Sequence, residues 1–198
     1  MSNASTVRRQ IAGSQQLTIA PLSGTAIGTT QTSFQLNNNA LTLSGGGVIP
    51  LSAGVTGLYA GTGQVLVVRG SGNISGATPT TTTLLLQLFE VPASVIAAGL
   101  TSQSFTGFNS IGSTGAKAIA QAAGSFRVVA HLQLDASGNL EGIFEAYING
   151  AAIVSAAVIT PITGLVGEAD LNFVLAATLG GAEAGVVVTL EEFAIDLE

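Results

Sequence analysis

The chain holds one histidine, His131, within Phe126-Arg-Val-Val-Ala-His-Leu-Gln-Leu-Asp135. A hydrolytic triad needs a base, an orienting acid and a nucleophile in contact. Asp135 shares the strand face of His131 but stands four residues on, roughly 13 Å away at ~3.3 Å per residue. Any triad would therefore take its other members from other strands. Two further readings of His131 stand beside catalysis. One is a cross-strand pair with Glu145, worth about 0.2–1 kcal/mol. The other is a pH-sensitive subunit contact, because imidazole titrates near neutrality.

The carboxylates are no better arranged for chemistry. A glycosidase needs two of them about 5–9 Å apart. Glu141 and Glu145 share a face but are four residues apart, and Glu191 and Glu192 are adjacent and so expected on opposite faces. Asp135-Ala-Ser-Gly-Asn-Leu-Glu141 offers oxygen ligands yet lacks the acid ladder of a calcium loop. It reads as a hairpin loop with charged ends. Gly61-Thr-Gly63 and Gly70-Ser-Gly72 lack the Lys-Ser or Lys-Thr of a phosphate loop and read as turns. Cysteine is absent. No catalytic residue, metal or cofactor is expected.

The elements that would hold these residues are strands. Glycine, serine, threonine and asparagine punctuate the chain about every 8–12 residues, the spacing of a sandwich or barrel. Residues 1–16 read as an extended N-terminal arm and residues 17–198 as a single β-sandwich domain. Strands are expected at Leu17–Pro21, Ser33–Leu36, Leu41–Ser44, Gln64–Arg69 and Thr81–Val91, with Gly70–Pro79 as a loop. Pro92–Leu100 reads as a helical turn or loop, and Ala116–Ala123 as helix or strand. Phe126, Val128, Ala130, Leu132 and Leu134 alternate with Arg127, Val129, His131 and Gln133, a half-buried strand of period two. Leu140–Asn149 returns. The register expected for this hairpin sets Val128 opposite Ile148, Ala130 opposite Ala146, Leu132 opposite Phe144, Val129 opposite Tyr147 and His131 opposite Glu145. Ala151–Ile159, Ala169–Leu179 and Val186–Leu197 complete the set, the last with Phe193 and Ile195 sharing the face of Glu191. The whole predicts an all-β fold, an antiparallel jelly-roll-like β-sandwich.

Charged residues are 8% of the 198 residues, against a usual share of about 25%. Residues 1–89 carry Arg8, Arg9 and Arg69 and no acid; residues 90–198 carry Lys117 and Arg127 against eleven acids. An acidic body with two arginines in its arm is a poor match for nucleic acid, which needs clustered cations. A membrane span is not expected either. The uncharged stretch Gly150–Gly167 is broken by Ser155, Thr160, Pro161 and Thr163 and reads as strand-turn-strand, and the start of the chain has no apolar signal segment. A hydrophobic share of 47% argues against disorder. What remains is a β-rich subunit that covers its uncharged surface with other protein. Arg8, Arg9, His131 and Glu145 are the candidate interface residues.

The C-terminal third resembles small structural proteins of tailed bacteriophages. The features are the strand Phe126–Asp135, the return ending in Tyr147-Ile-Asn-Gly150, and the closing segments Asp170–Thr178 and Val188–Glu198. The resemblance implies a jelly-roll capsid decoration (cement) protein, a homotrimer, in contact with the major capsid protein or other virion subunits. It implies localisation in the virion, assembled in the host cytoplasm. A tail-fibre or adhesin-type module that binds glycans is the alternative, and a glycosidase the third reading.

Overall fold

The computed structural model describes residues 33–35, 48–50, 63–76, 83–92, 94–95, 105–118, 124–165, 170–179 and 186–197. The arm with Arg8 and Arg9, and the segments expected as strands at Leu17–Pro21 and Leu41–Ser44, lie outside the described residues. Eleven strands are described: β1 Ser33–Gln35, β2 Val48–Pro50, β3 Leu66–Gly76, β4 Thr83–Glu90, β5 Asn109–Ser113, β6 Lys117–Ala118, β7 Gly124–Leu134, β8 Leu140–Ile148, β9 Ala151–Val158, β10 Asp170–Leu179 and β11 Val186–Leu197. They form two antiparallel sheets. One runs β11-β3-β7-β8-β9. The other runs β1-β10-β4-β5, with β2 also on β10 and β6 also on β4. The chain crosses between sheets after β2, β3, β6, β9 and β10, and the result is a jelly-roll-like sandwich.

Period-two alternation builds the core. Leu66 and Val68 of β3, Val128, Ala130 and Leu132 of β7, and Phe144 of β8 point from one sheet into the layer. Leu84, Leu86 and Leu88 of β4 and Leu171, Phe173 and Leu175 of β10 meet them from the other. Each fully buried leucine contributes about 2 kcal/mol by leaving water. β10 is not half-buried: Leu171 through Ala177 are all buried, including Asn172, Val174 and Ala176 on the side away from the core. A central strand covered on both faces loses its polar alternation.

Three expectations are corrected. Gly70–Gly76 is strand, not loop, and β3 stays paired with β11 throughout it and with β7 as far as Ile74. Gly70 and Gly72 are there for room, not for turning. A Cβ on Gly70 would lie 2.6 Å from Leu175 Cδ2, and one on Gly72 would lie 2.0 Å from the Thr189 carbonyl oxygen and 2.6 Å from the Phe126 ring.

The β7–β8 register is displaced by two residues. Val128 faces Ala146, Ala130 faces Phe144, Val129 faces Glu145 and His131 faces Ile143. The faces are as expected, since a two-residue shift preserves them. The turn explains the displacement. Asp135 Oδ1 accepts hydrogen bonds from the amides of Ser137 (2.7 Å) and Asn139 (2.8 Å), and the Asp135 amide donates to the Asn139 carbonyl at 2.9 Å. Those bonds close a three-residue loop in which Gly138 has φ +78°. The strand then ends at Ile148, where Asn149 (φ +53°) and Gly150 (φ +77°) make a two-residue hairpin turn into β9.

The third correction is in β11. Its pairing with β3 slips between Leu190 and Glu192, a β-bulge. Leu190 and Phe193 both point into the core, and Glu191 and Glu192 both stand exposed on the outer face. Phe193 therefore does not share the face of Glu191.

Candidate functional site

The outer face of the five-stranded sheet gathers the ionisable residues singled out above. On β11, Glu191 accepts from Asn73 Nδ2, Glu192 from the Ser71 hydroxyl at 3.3 Å, and Asp196 from Arg69 in an ion pair. On β8, Glu141 accepts from Gln133 Nε2 at 3.0 Å and Glu145 from the Tyr147 hydroxyl at 3.0 Å. That bond, then the charge of Glu145, holds the Tyr147 phenol above its usual range. His131 is half-buried between Val67 of β3 and Ile143 of β8. The structure sets Glu145 one pair further along, opposite Val129, so the expected direct pairing of His131 with Glu145 is not made.

This face is a grid of local pairs. Asp135 is occupied by its own turn: the Asn139 amide and side chain, then the Ser137 and Gly138 amides, pull its carboxyl below the usual value. Glu141, the far end of the candidate calcium loop, is bonded to Gln133 on the sheet. Among the described residues no group of three or more His, Cys, Asp or Glu is placed to hold a metal ion.

A concavity lies elsewhere, where the edge β5 of one sheet meets the edge β9 of the other. It is a cleft of about 560 Å³. Asn109, Ser110, Ile111, Gly112 and Ser113 form one wall; Ala157, Val158 and Thr160 to Thr163 form the other, with Phe144 in the floor. Both walls are fixed. Thr114 ties β5 to β4, its amide donating to the Leu86 carbonyl (3.0 Å) while its hydroxyl accepts from the Leu86 amide (2.9 Å). Opposite, Leu140 and Ile162 exchange two amide bonds at 2.9 Å, and the Ile159 amide donates to Gly142. Gly112 lies on the Phe144 ring so closely that a Cβ there would come within 2.2 Å of it.

Among the described residues no ionisable side chain lines this cleft. It brings together hydroxyls and an amide but no base to activate a nucleophile, and general acid–base chemistry needs one. Behind Asn109 is Glu90, fully buried, whose Oε2 accepts from Asn109 Nδ2 at 2.7 Å. Sequence reading missed both: Asn109–Ser113 shows no apolar alternation. The available signal was Glu90 itself, a carboxylate closing the apolar run Leu84–Phe89.

The rim of the cleft continues into an uncharged surface. From Ala151 to Gly164 no residue is ionisable, and ten of the fourteen are exposed, Val158 by 85%. Ala156 holds φ +49° where β9 bulges against β8. The opposite edge of the same sheet, β11, carries Glu191, Glu192 and Asp196. The phenylalanines are split: Phe126, Phe144, Phe173 and Phe193 point into the core, whereas Phe89, Phe105 and Phe108 form a separate cluster with ring centroids 5.3–6.0 Å apart.

No protein-family model and no curated protein matches this chain. Among solved structures it is similar to a Lotus tetragonolobus seed lectin, with 9% identity and a TM-score of 0.37, over 76% of this chain and 78% of that one. It is also similar to an endo-β-1,4-glucuronan lyase from the fungus Trichoderma reesei, with 12% identity and a TM-score of 0.33, over 85% and 87%. Likeness at this level carries no argument about function.

Proposed function

We propose that the protein is a structural subunit of a tailed-phage virion, a capsid decoration or cement protein without enzymatic activity. The observation that carries the assembly part of this reading is the difference between the two edges of the five-stranded sheet. Natural sheets guard their edges with charge and bulges. β11 has both, with Glu191, Glu192 and Asp196 around its bulge. β9 has a bulge but no charge, and its exposed, mostly apolar surface runs on to Gly164. Surfaces of that kind are covered by protein in assemblies. The virion assignment adds the resemblance of about residues 125–198 to phage structural proteins. Glu145 on β8, beside β9, and His131 on β7, one strand further in, belong to the contact face in this proposal, with Arg8 and Arg9 docking the arm on a neighbour.

Two measurements test it. In sedimentation velocity, the full chain associates as concentration rises, and the double variant Ala152→Lys, Val158→Lys stays a single chain with an unchanged far-UV spectrum. A wild-type chain that remains monomeric at the highest concentrations refutes assembly. In purified particles, chemical cross-linking joins the chain to the major capsid protein; particles that lack it refute the virion role.

A further inference from the structure

The geometry points to the cleft between β5 and the Val158–Thr163 segment as a binding site for an uncharged saccharide. This goes beyond the assembly role and does not depend on it. Ligand sites commonly enclose about 300–1,000 Å³, and the cleft holds about 560 Å³. Its lining names the chemistry of the occupant. Asn109, Ser110, Ser113, Thr160 and Thr163 present neutral hydrogen-bonding groups, and Val158 and Pro161 present apolar surface between them. A pyranose has this pairing, with hydroxyls around its rim and C–H bonds on its faces. A phosphate, uronate or ammonium group would enter with no counter-charge among the described lining residues, which costs free energy.

One polar group is held in a set orientation. Asn109 Nδ2 donates to Glu90, whose side chain is wholly buried beneath the wall. This fixes which end of the amide is committed to the protein and leaves Oδ1 as the acceptor for a ligand hydroxyl. The floor is equally determined, because Gly112 on Phe144 leaves no room for a side chain. A wall closed by a buried carboxylate, a floor that excludes any Cβ and a neutral rim are features of a shaped cavity.

An array of immobilised oligosaccharides, neutral (glucose-, galactose-, mannose- and N-acetylglucosamine-based) and acidic (uronate- and sulfate-bearing), tests this with the labelled full chain. The expected result is retention on at least one neutral oligosaccharide. Ser110→Arg and Thr163→Arg, at exposed positions on opposite walls, each weaken it about tenfold or more. Ser137→Arg, in the β7–β8 turn, leaves it unchanged. Asn109→Ala weakens it as well, with melting temperature recorded alongside to separate loss of binding from loss of fold. Retention on no oligosaccharide overturns the inference, as does preference for acidic ones or retention indifferent to both arginines. Binding of neutral peptides but not sugars, lost in the same variants, would reassign the cleft to a peptide. Because Val158–Thr163 belong both to the cleft and to the β9 surface, the array is run at a concentration where the centrifuge shows single chains, so that loss of sugar binding and loss of self-association are read apart.

Discussion

Gly70 on β3 and Leu175 on β10 face each other across the sandwich, and the Leu175 methyl occupies the space that a side chain at position 70 would need. The two sheets thus set their spacing partly at a residue with no side chain. Gly70→Ala should destabilise the protein by about 1–3 kcal/mol through overpacking. Paired with Leu175→Ala it should cost less than the sum of the two single changes, with a coupling of about 1 kcal/mol or more. Denaturant unfolding of the four proteins measures this; strict additivity would show that the two residues do not share the space.

Asn149 combines a left-handed backbone with a side-chain bond. Its Oδ1 accepts from the Ser125 amide at 3.0 Å, and its amide donates to the Ser125 carbonyl at 2.8 Å. Asn149→Ala loses the first bond and places alanine at positive φ, so a loss of about 2 kcal/mol is expected. Asn149→Gly keeps the turn and should cost less, which a pair of thermal melts will show.

Ala156 is the reverse case, an alanine already held at φ +49°. Ala156→Gly should stabilise the protein by about 1 kcal/mol by removing that strain. A lower melting temperature for the glycine variant would mean that the alanine side chain contributes packing that outweighs its strain.

Asp135 titrates below its ordinary value of 3.8 because the Asn139 and Ser137 amides favour the carboxylate. A depressed carboxyl pKa contributes stability above the unfolded value, and the contribution fades as pH falls through the folded one. The β7–β8 turn should therefore loosen only below about pH 4. Carboxyl carbon shifts of Asp135 followed by NMR, with the Ser137 and Asn139 amides, should share that midpoint. Asp135→Asn should remove the step.

Tyr147 has its phenol bonded to Glu145 and titrates above 10.0. A raised pKa contributes stability below the unfolded value and loses it as pH rises through the folded one. In a Tyr59→Phe background, Glu145→Gln should bring the tyrosinate absorbance midpoint back toward 10.0.

The antiparallel sandwich was legible in the sequence because period-two patterning survives wherever one face is wet, as in Phe126–Leu134. Patterning fixes faces but leaves even-numbered slips open. His131 stood on the right face beside the wrong partner, since the choice was made by the Asp135 side chain capturing the Asn139 amide. Gly70 and Gly72 were misread because a glycine that makes room and one that turns the chain look alike until the opposing side chain is known. The bulge at Glu191 hides for a related reason: alternation predicts opposite faces, and a single extra residue cancels it. The cleft was not legible at all. Its walls come from β5 and from the end of β9 with the chain that follows it, brought together only by the meeting of two sheet edges.

The bulge in β11 has a larger consequence. It turns two neighbouring glutamates outward at one border of the sheet, while the described residues of the border at β9 carry no charge. If the protein assembles as proposed, a block with one receptive flank on that sheet would have a valence of one there, and blocks of that sort form closed clusters or cap another surface instead of stringing into endless fibres.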